Sequence, residues 1–315
     1  MKCNGSKAWH LMRPGVFGLV ACSQSRLDEA GSIEQFHSIA CRKTDERWVS
    51  GNVPSGNVPS YDARMSCQQA GPIFIVGAPR SGTSMLHWAL VQHENLWGSA
   101  ESDFLRPLVR GIDSSYDSGT NLGDYHWLIK ENVSKAEFML FIGQGIESLY
   151  FSRSGGLRWV DQTPQYVLDF SSLNMMFPHA RFIHIVRDGR QVICSMQEKF
   201  GWSFVKAMNA WKQMVEAGYR ISCEKRTNFL QIKYESVVRN PDSLFREIFE
   251  FIEEKYEPKS VKFLKLPINS APGREVEPSL EKLSPRWENW SLFKRVIFRA
   301  YCGKIMKDLG YQAAK

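Results

Sequence analysis

Short, unbroken apolar runs alternate along most of this chain with stretches in which apolar residues recur at helical spacing. Ile73 to Val76 is β-branched and aromatic throughout, as suits a central strand buried on both faces. A glycine turn follows, and the pattern predicts a helix from about Gly82 to His93. Residues 95–97 read as a short second strand followed by helical stretches, with a glycine- and serine-rich loop over 111–127. Residues 157–164 read as a third strand ending in a polar turn. A helix is predicted over 166–176, ended by Pro178, and Arg181 to Val186 form the next clear strand. Asp188 then opens a helix in a capping-box pattern with Gln191. Trp202, Val205, Met208, Trp211 and Val215 recur at helical spacing, residues 228–234 supply a further strand, and Asn240-Pro241 open another helix. The last long helix, about 290–309, is expected to bury Leu292, Phe293, Val296, Ile297, Tyr301, Ile305 and Leu309. Strands alternating with helices predict a three-layer α/β/α domain around a central, mostly parallel sheet of about five strands.

Residues 1–70 break the pattern. They carry no sustained period, apart from a short helical stretch near 27–40, and contain the tandem repeat Ser-Gly-Asn-Val-Pro over 50–60, which is turn and linker chemistry. The expected organisation is a poorly ordered extension over 1–70 and one folded domain over 71–315.

Composition narrows the chemistry. The net charge of +7 makes an anionic partner plausible, but the 40 basic residues are scattered and form no block of like charge, which counts against a nucleic-acid tail. The seven cysteines are odd in number and include no C-x-x-C pair, so neither a disulfide framework nor a zinc site is expected. Reduced thiols fit a cytoplasmic setting, although Leu19-Val20-Ala21-Cys22 superficially resembles a lipoprotein cleavage site. No apolar run approaches the ~20 residues of a membrane-spanning helix.

The most informative stretch is Gly77-Ala-Pro-Arg-Ser-Gly-Thr-Ser84. A strand running into a glycine loop and then a helix brings backbone N–H groups and the positive helix end to one point, an anion site. Gly77, Gly82 and Ser84 are spaced as in the triphosphate motif G-x-x-x-x-G-K-S/T, yet Thr83 holds the lysine position and the cation is Arg80, inside the loop. Moving the cation to the loop apex suits chemistry in which a 5′-phosphate is itself the leaving group, with no metal required.

The loop resembles the 5′-phosphosulfate loop of sulfotransferases that use 3′-phosphoadenosine 5′-phosphosulfate (PAPS), with the pattern P-K/R-S-G-T-S/T after a buried strand. Two further segments carry the resemblance. Arg187 at a strand end and Ser195 eight residues on match the family's 3′-phosphate pair, and Tyr234 in Tyr-Glu-Ser-Val-Val-Arg-Asn-Pro matches the tyrosine that lies against adenine. The similarity covers roughly 71–311 and extends to Trp290 and Leu309-Gly310-Tyr311, a pattern of many bacterial members. It implies a metal-independent enzyme moving a sulfuryl group from PAPS to an acceptor hydroxyl of a carbohydrate, lipid, phenol or peptidyl tyrosine. Arg80, Ser81, Gly82, Thr83, Ser84, Arg187, Ser195 and Tyr234 would bind the donor, with Ser284 and Arg286 on a loop folded over it. The family's protein-tyrosine members place a Glu soon after the second strand as general base, which assigns that role to Glu101, with Arg80 assisting the leaving phosphate. His126 is an alternative base; His87 and His93 suit helix-surface packing, and His184 suits a core position.

One position departs from the family. Many members carry Lys immediately before Thr-Pro, where this chain has Gln162, an amide donor without charge. That keeps a second reading open, a non-catalytic PAPS-binding or scaffold member of the fold; a P-loop kinase is a third, opposed by the missing lysine. The acceptor and the oligomeric state are not readable.

Overall fold

The computed structural model describes residues 70–264 and 286–311. Residues 1–69 of the extension expected over 1–70, and Ser284, lie outside the described residues.

Five strands form one sheet: β1 (Ile73–Gly77), β2 (Leu96–Gly98), β3 (Arg158–Asp161), β4 (Arg181–Val186) and β5 (Phe229–Lys233). Their order is β2-β3-β1-β4-β5 and every pairing is parallel. β1 lies at the centre, paired along its whole length with β4 from Ile73 opposite Arg181 to Gly77 opposite Ile185. Its alternation explains both layers of core. Phe74 and Val76 point into one apolar cluster, and Ile73 and Ile75 into the other.

The connecting helices cover both faces. The helix after the loop, α1 (Thr83–Leu90), joins the Ile73/Ile75 side through Leu86, Ala89 and Leu90. Three helices lie between β2 and β3: α2 (Leu105–Thr120), α3 (Trp127–Lys130) and α4 (Lys135–Ser154). The expected loop over 111–127 is therefore mostly helix; Ser and Asp point outward from α2, while Val109 and Ile112 face the core. After β3 the chain enters a 3₁₀ turn, Pro164–Asp169, and then α5 (Phe170–Met176), so the helix expected over 166–176 starts in the tighter form. Then follow α6 (Gly189–Phe200) and α7 (Phe204–Cys223).

Beyond β5 come α8 (Tyr234–Arg239), α9 (Pro241–Phe251), α10 (Pro258–Leu264) and, after residues not described, α11 (Leu292–Asp308). Helix α11 departs from expectation. Leu292, Phe293, Val296 and Tyr301 are exposed, and the buried stripe is Phe298, Cys302, Ile305, Met306 and Leu309. Helical period locates an amphipathic helix but does not say which of two apolar stripes packs. No helix among the described residues is long and apolar enough to cross a membrane.

Parallel strands send all their carboxyl ends to one edge of the sheet. The chain leaves β1 into Gly77 to Ser84, β2 toward Glu101, β3 toward Thr163, β4 into Arg187 and β5 into Tyr234. Positions spread over more than 150 residues thus converge on one rim.

Candidate active site

The loop after β1 turns tightly, with Ser81 N–H donating to Ala78 O at 3.1 Å. Arg80 sits in the left-handed region at φ 71°, and Gly82 at φ 103° is the N-cap of α1, with no side-chain cap on the helix. Gly82 is there for two reasons. Its dihedral disfavours a side chain, and a Cβ would lie 2.5 Å from Cδ2 of Tyr234. Tyr234, the first residue of α8, therefore packs directly on the loop glycine.

The Arg187 guanidinium stacks 4.1 Å from the Tyr234 ring centroid and donates from Nη1 to the Arg80 carbonyl at 3.3 Å. Arg80 Nε in turn donates to Ser195 Oγ at 3.2 Å, tying the loop to α6. Arg80, Gly82, Arg187, Ser195 and Tyr234 thus form one contact network. Asp188 finds its local ion-pair partner in Arg190, whose Nε lies 2.9 Å from Oδ1. The expected capping box is completed differently: the Asp188 N–H donates to Glu235 Oε1 at 3.2 Å. Glu235 also accepts from the Tyr311 hydroxyl at 2.9 Å, anchoring the carboxyl end of the domain to this rim.

The donor set fits a phosphorylated nucleotide. Ser81 is fully buried and its Oγ has no hydrogen-bond partner among the described residues, an arrangement that costs free energy unless a ligand oxygen meets it. Arg80 precedes it, Arg187 donates to the Arg80 carbonyl, and the uncapped end of α1 follows it in the loop. Among the described residues, no group of three or more His, Cys, Asp and Glu is placed to hold a metal ion.

Comparison with known proteins decides the family. The sulfotransferase family profile matches residues 72–258, more than half of the chain. The chain belongs to the sulfotransferase family. Protein-tyrosine sulfotransferase A of Caenorhabditis elegans is 23% identical over 242 residues, covering 72% of this chain and 60% of that protein. A protein of Aquifex aeolicus is 22% identical over 250 residues, covering 72% of this chain and 31% of its own length. The chain thus spans between about a third and three-fifths of these relatives. Among solved structures, the sulfotransferase domain from the curacin biosynthetic pathway superposes with a TM-score of 0.55 at 18% identity, covering 78% of this chain and 99% of that chain. It shares the fold.

In this sulfotransferase-family chain the loop opens onto a cleft of about 430 Å³. Pro79, Arg80, Thr83 and Ser84 form one side; Glu101, Asp103, Thr163, Pro164, Gln165, Phe200 and Trp202 form the rest. Glu101 stands three residues beyond the end of β2, on the cleft wall. Partial burial, and then the charges of Asp103 and Asp161, raise its carboxyl above the usual glutamate range. The wall behind it is a hydrogen-bond chain. Asp161 Oδ1 accepts from Thr163 N–H at 2.7 Å, Thr163 Oγ1 from Ser102 N–H at 3.2 Å, and Ser102 Oγ pairs with the Tyr166 hydroxyl at 2.6 Å. That chain fixes the segment carrying Glu101 against the end of β3.

The histidines take structural places. His87 is fully buried, not on the helix surface as expected; it packs on Gly98, and burial lowers its pKa to about 4. His93 is likewise buried, its Nε2 2.9 Å from Lys255 O. His184 is a core residue paired through Nδ1 with Gln231 at 3.1 Å. His126 Nε2 lies 3.0 Å from Leu122 O at the start of α3, and His126 does not line the cleft. Arg286 begins a 3₁₀ turn, Arg286–Asn289.

Sequence reasoning missed Asp103, Thr163, Gln165, Phe200 and Trp202 as cleft residues. Trp202 was expected inside a helix, but α7 begins at Phe204 behind the N-cap Ser203, so Trp202 lies in the turn between α6 and α7. Phe200 and Trp202 lie either side of Gly201, whose φ of 65° closes α6. A Gly flanked by aromatics at a helix end was the available signal.

Proposed function

We propose that this protein transfers the sulfuryl group of PAPS to an acceptor hydroxyl. The observation that carries the reading is the convergence of Arg80, Arg187, Ser195 and Tyr234 beside a cleft that has Glu101 on its opposite wall. The names of the relatives and the family membership support the same chemistry.

Bound PAPS supplies an activated sulfuryl group whose leaving group is a 5′-phosphate. Arg80, the hydroxyls of Ser81, Thr83 and Ser84, and the N–H groups at the start of α1 hold that phosphate and stabilise the negative charge that grows on it. Arg187 and Ser195 hold the 3′-phosphate, with the guanidinium fixed by its stack on Tyr234, and Tyr234 also offers a face to adenine. Arg286 is assigned to the cover over the nucleotide, as is Ser284. Glu101, as carboxylate, takes the proton of the acceptor hydroxyl while the oxygen–sulfur bond forms and the bond from sulfur to the phosphate oxygen breaks. A base so placed contributes typically ~10²–10⁴-fold.

Gln162 favours a second reading, nucleotide binding without transfer. It is buried and its Oε1 has no partner among the described residues, so the position supplies no charge to the leaving oxygen. Incubation with sulfur-labelled PAPS and a panel of carbohydrate, lipid, phenolic and peptidyl-tyrosine acceptors separates the two. Transfer is expected to at least one class in the presence of a chelator, and to be abolished by Arg80→Ala. Tight binding with no labelled product from any class would support the second reading.

A further inference from the structure

The acceptor side of the cleft carries a charge and a shape that the donor motifs do not require. Its lining holds two carboxylates, Glu101 and Asp103, against one guanidinium, Arg80, which is already engaged with Ser195. Behind them the buried Asp161, its own carboxyl raised by burial, is near enough to act together with Asp103 on the Glu101 carboxyl. Two neighbouring guanidinium groups share one carboxylate outside the lining, and a lysine packs on the aromatic wall. Arg106 pairs with Asp169 at 2.8 Å and donates to Gln165, and Arg110 meets the other oxygen of Asp169 at 3.1 Å. Lys206 lies over the Trp202 ring at 4.6 Å. The lining of the cleft itself thus carries more carboxylate than guanidinium.

Its shape comes from α6. Gly201 ends that helix in the left-handed conformation, which brings Phe200 and Trp202 together with centroids 5.2 Å apart and planes at 44°. Phe200 is 44% exposed, so this angled wall presents an apolar face to the cleft. Such a face suits a flat ring, aromatic or sugar.

Resting on the sulfuryl-transfer reading of this cleft, the geometry points to an acceptor that is neutral or cationic and presents a ring to Phe200 and Trp202. Asp103 is the specificity-determining residue, disfavouring anionic acceptors. A carboxylate or sulfate near the reacting hydroxyl would face Asp103 and Glu101, with Arg80 the one cation among the residues that line the cleft. Specificity would come from repulsion as much as from attraction. Asp103 is well placed for this, because its backbone at φ 51° is one that Asp and Asn tolerate better than most residues, so the charge can be removed without a change of conformation.

The test uses the full chain saturated with adenosine 3′,5′-bisphosphate and titrates in three phenols by calorimetry. Tyramine is cationic, tyrosol neutral and 4-hydroxyphenylacetate anionic, on closely similar frames. Tyramine is expected to bind about 5–10-fold more tightly than 4-hydroxyphenylacetate, with tyrosol between, the size of one partly screened charge interaction. Asp103→Asn is expected to cut that ratio by at least about half, the Glu101 carboxylate remaining, while the nucleotide affinity stays unchanged. Equal affinities in the wild type, a preference for the anion, no binding of any of the three, or a preference undiminished in Asp103→Asn would overturn the proposal. Failure of the nucleotide itself to bind would overturn the transfer reading as well, so the two failures are distinguishable.

Discussion

The loop network beside the cleft and the cleft wall that carries Glu101 are built in opposite ways. On the donor side, Gly82, Arg187 and Tyr234 are locked together: the ring fills the space a Cβ would need, and the guanidinium lies 4.1 Å from that ring. On the acceptor side, Asp103 and Phe200 are exposed, Glu101 is partly shielded between them and the end of the sheet, and they come from segments with turns at positive φ, Asp103 at 51° and Gly201 at 65°. On the proposed sulfuryl-transfer reading, the difference matches the part of the reaction each side would serve. A donor with fixed phosphates rewards a rigid arrangement of charges, because any reorganisation is subtracted from binding. An acceptor need bring only a hydroxyl to one carboxylate, so its side can be open and its selectivity set by a few surface charges.

Substitutions that respect this division should separate binding from transfer. The largest effect is expected from Gly82→Val, which meets Tyr234 and forces a side chain onto a φ of 103°. Adenosine 3′,5′-bisphosphate affinity should fall at least about 100-fold, from the loss of several charge-assisted contacts at once, as read by calorimetry. Glu101→Gln should lower transfer by ~10²–10⁴-fold and leave nucleotide affinity within a factor of about two. A matching loss of nucleotide binding would place Glu101 on the donor side and break the comparison.

A smaller effect concerns pH. As the proposed base Glu101 would act only when ionised, and partial burial with Asp103 and Asp161 holds its carboxyl above the usual range. Transfer should therefore rise with pH through a midpoint above that of an ordinary glutamate and be lost as pH falls below it. Asp103→Asn removes one cause of the raised value and should move the midpoint down; an upward shift would contradict the assignment. The smallest effect belongs to Tyr234. Loss of the aromatic face in Tyr234→Leu should weaken nucleotide binding by about 3–10-fold, the size of a partly buried cation–π contact. Tyr234→Phe, which keeps the face, should bind like the wild type.

The same division governs what could be read from the sequence. The five strands announced themselves as apolar runs because a parallel sheet is buried on both faces, and the donor loop did so because tight turns beside phosphates demand particular residues at fixed spacing. Gln162 stood out against that background for the same reason. Helix α11 misled because it has two apolar stripes, and the exposed one, Leu292, Phe293, Val296 and Tyr301, is as periodic as the buried one. Asp103 and Thr163 carried no local signal, and Phe200 only the glycine that follows it. They meet only because β2, β3 and α6 end at the same rim, which is a property of the sheet order and not of any short stretch.

The central claim is that Arg187, Ser195 and Tyr234 form a site for a nucleotide phosphorylated at both 3′ and 5′ positions, and calorimetry with adenosine 3′,5′-bisphosphate and AMP tests it directly. The account predicts that the bisphosphate binds at least about 10–100-fold more tightly, the contribution of charge-assisted hydrogen bonds to one phosphate, and that Arg187→Ala removes the difference while AMP binding is unaltered. Equal affinity of the wild-type protein for the two nucleotides would contradict it.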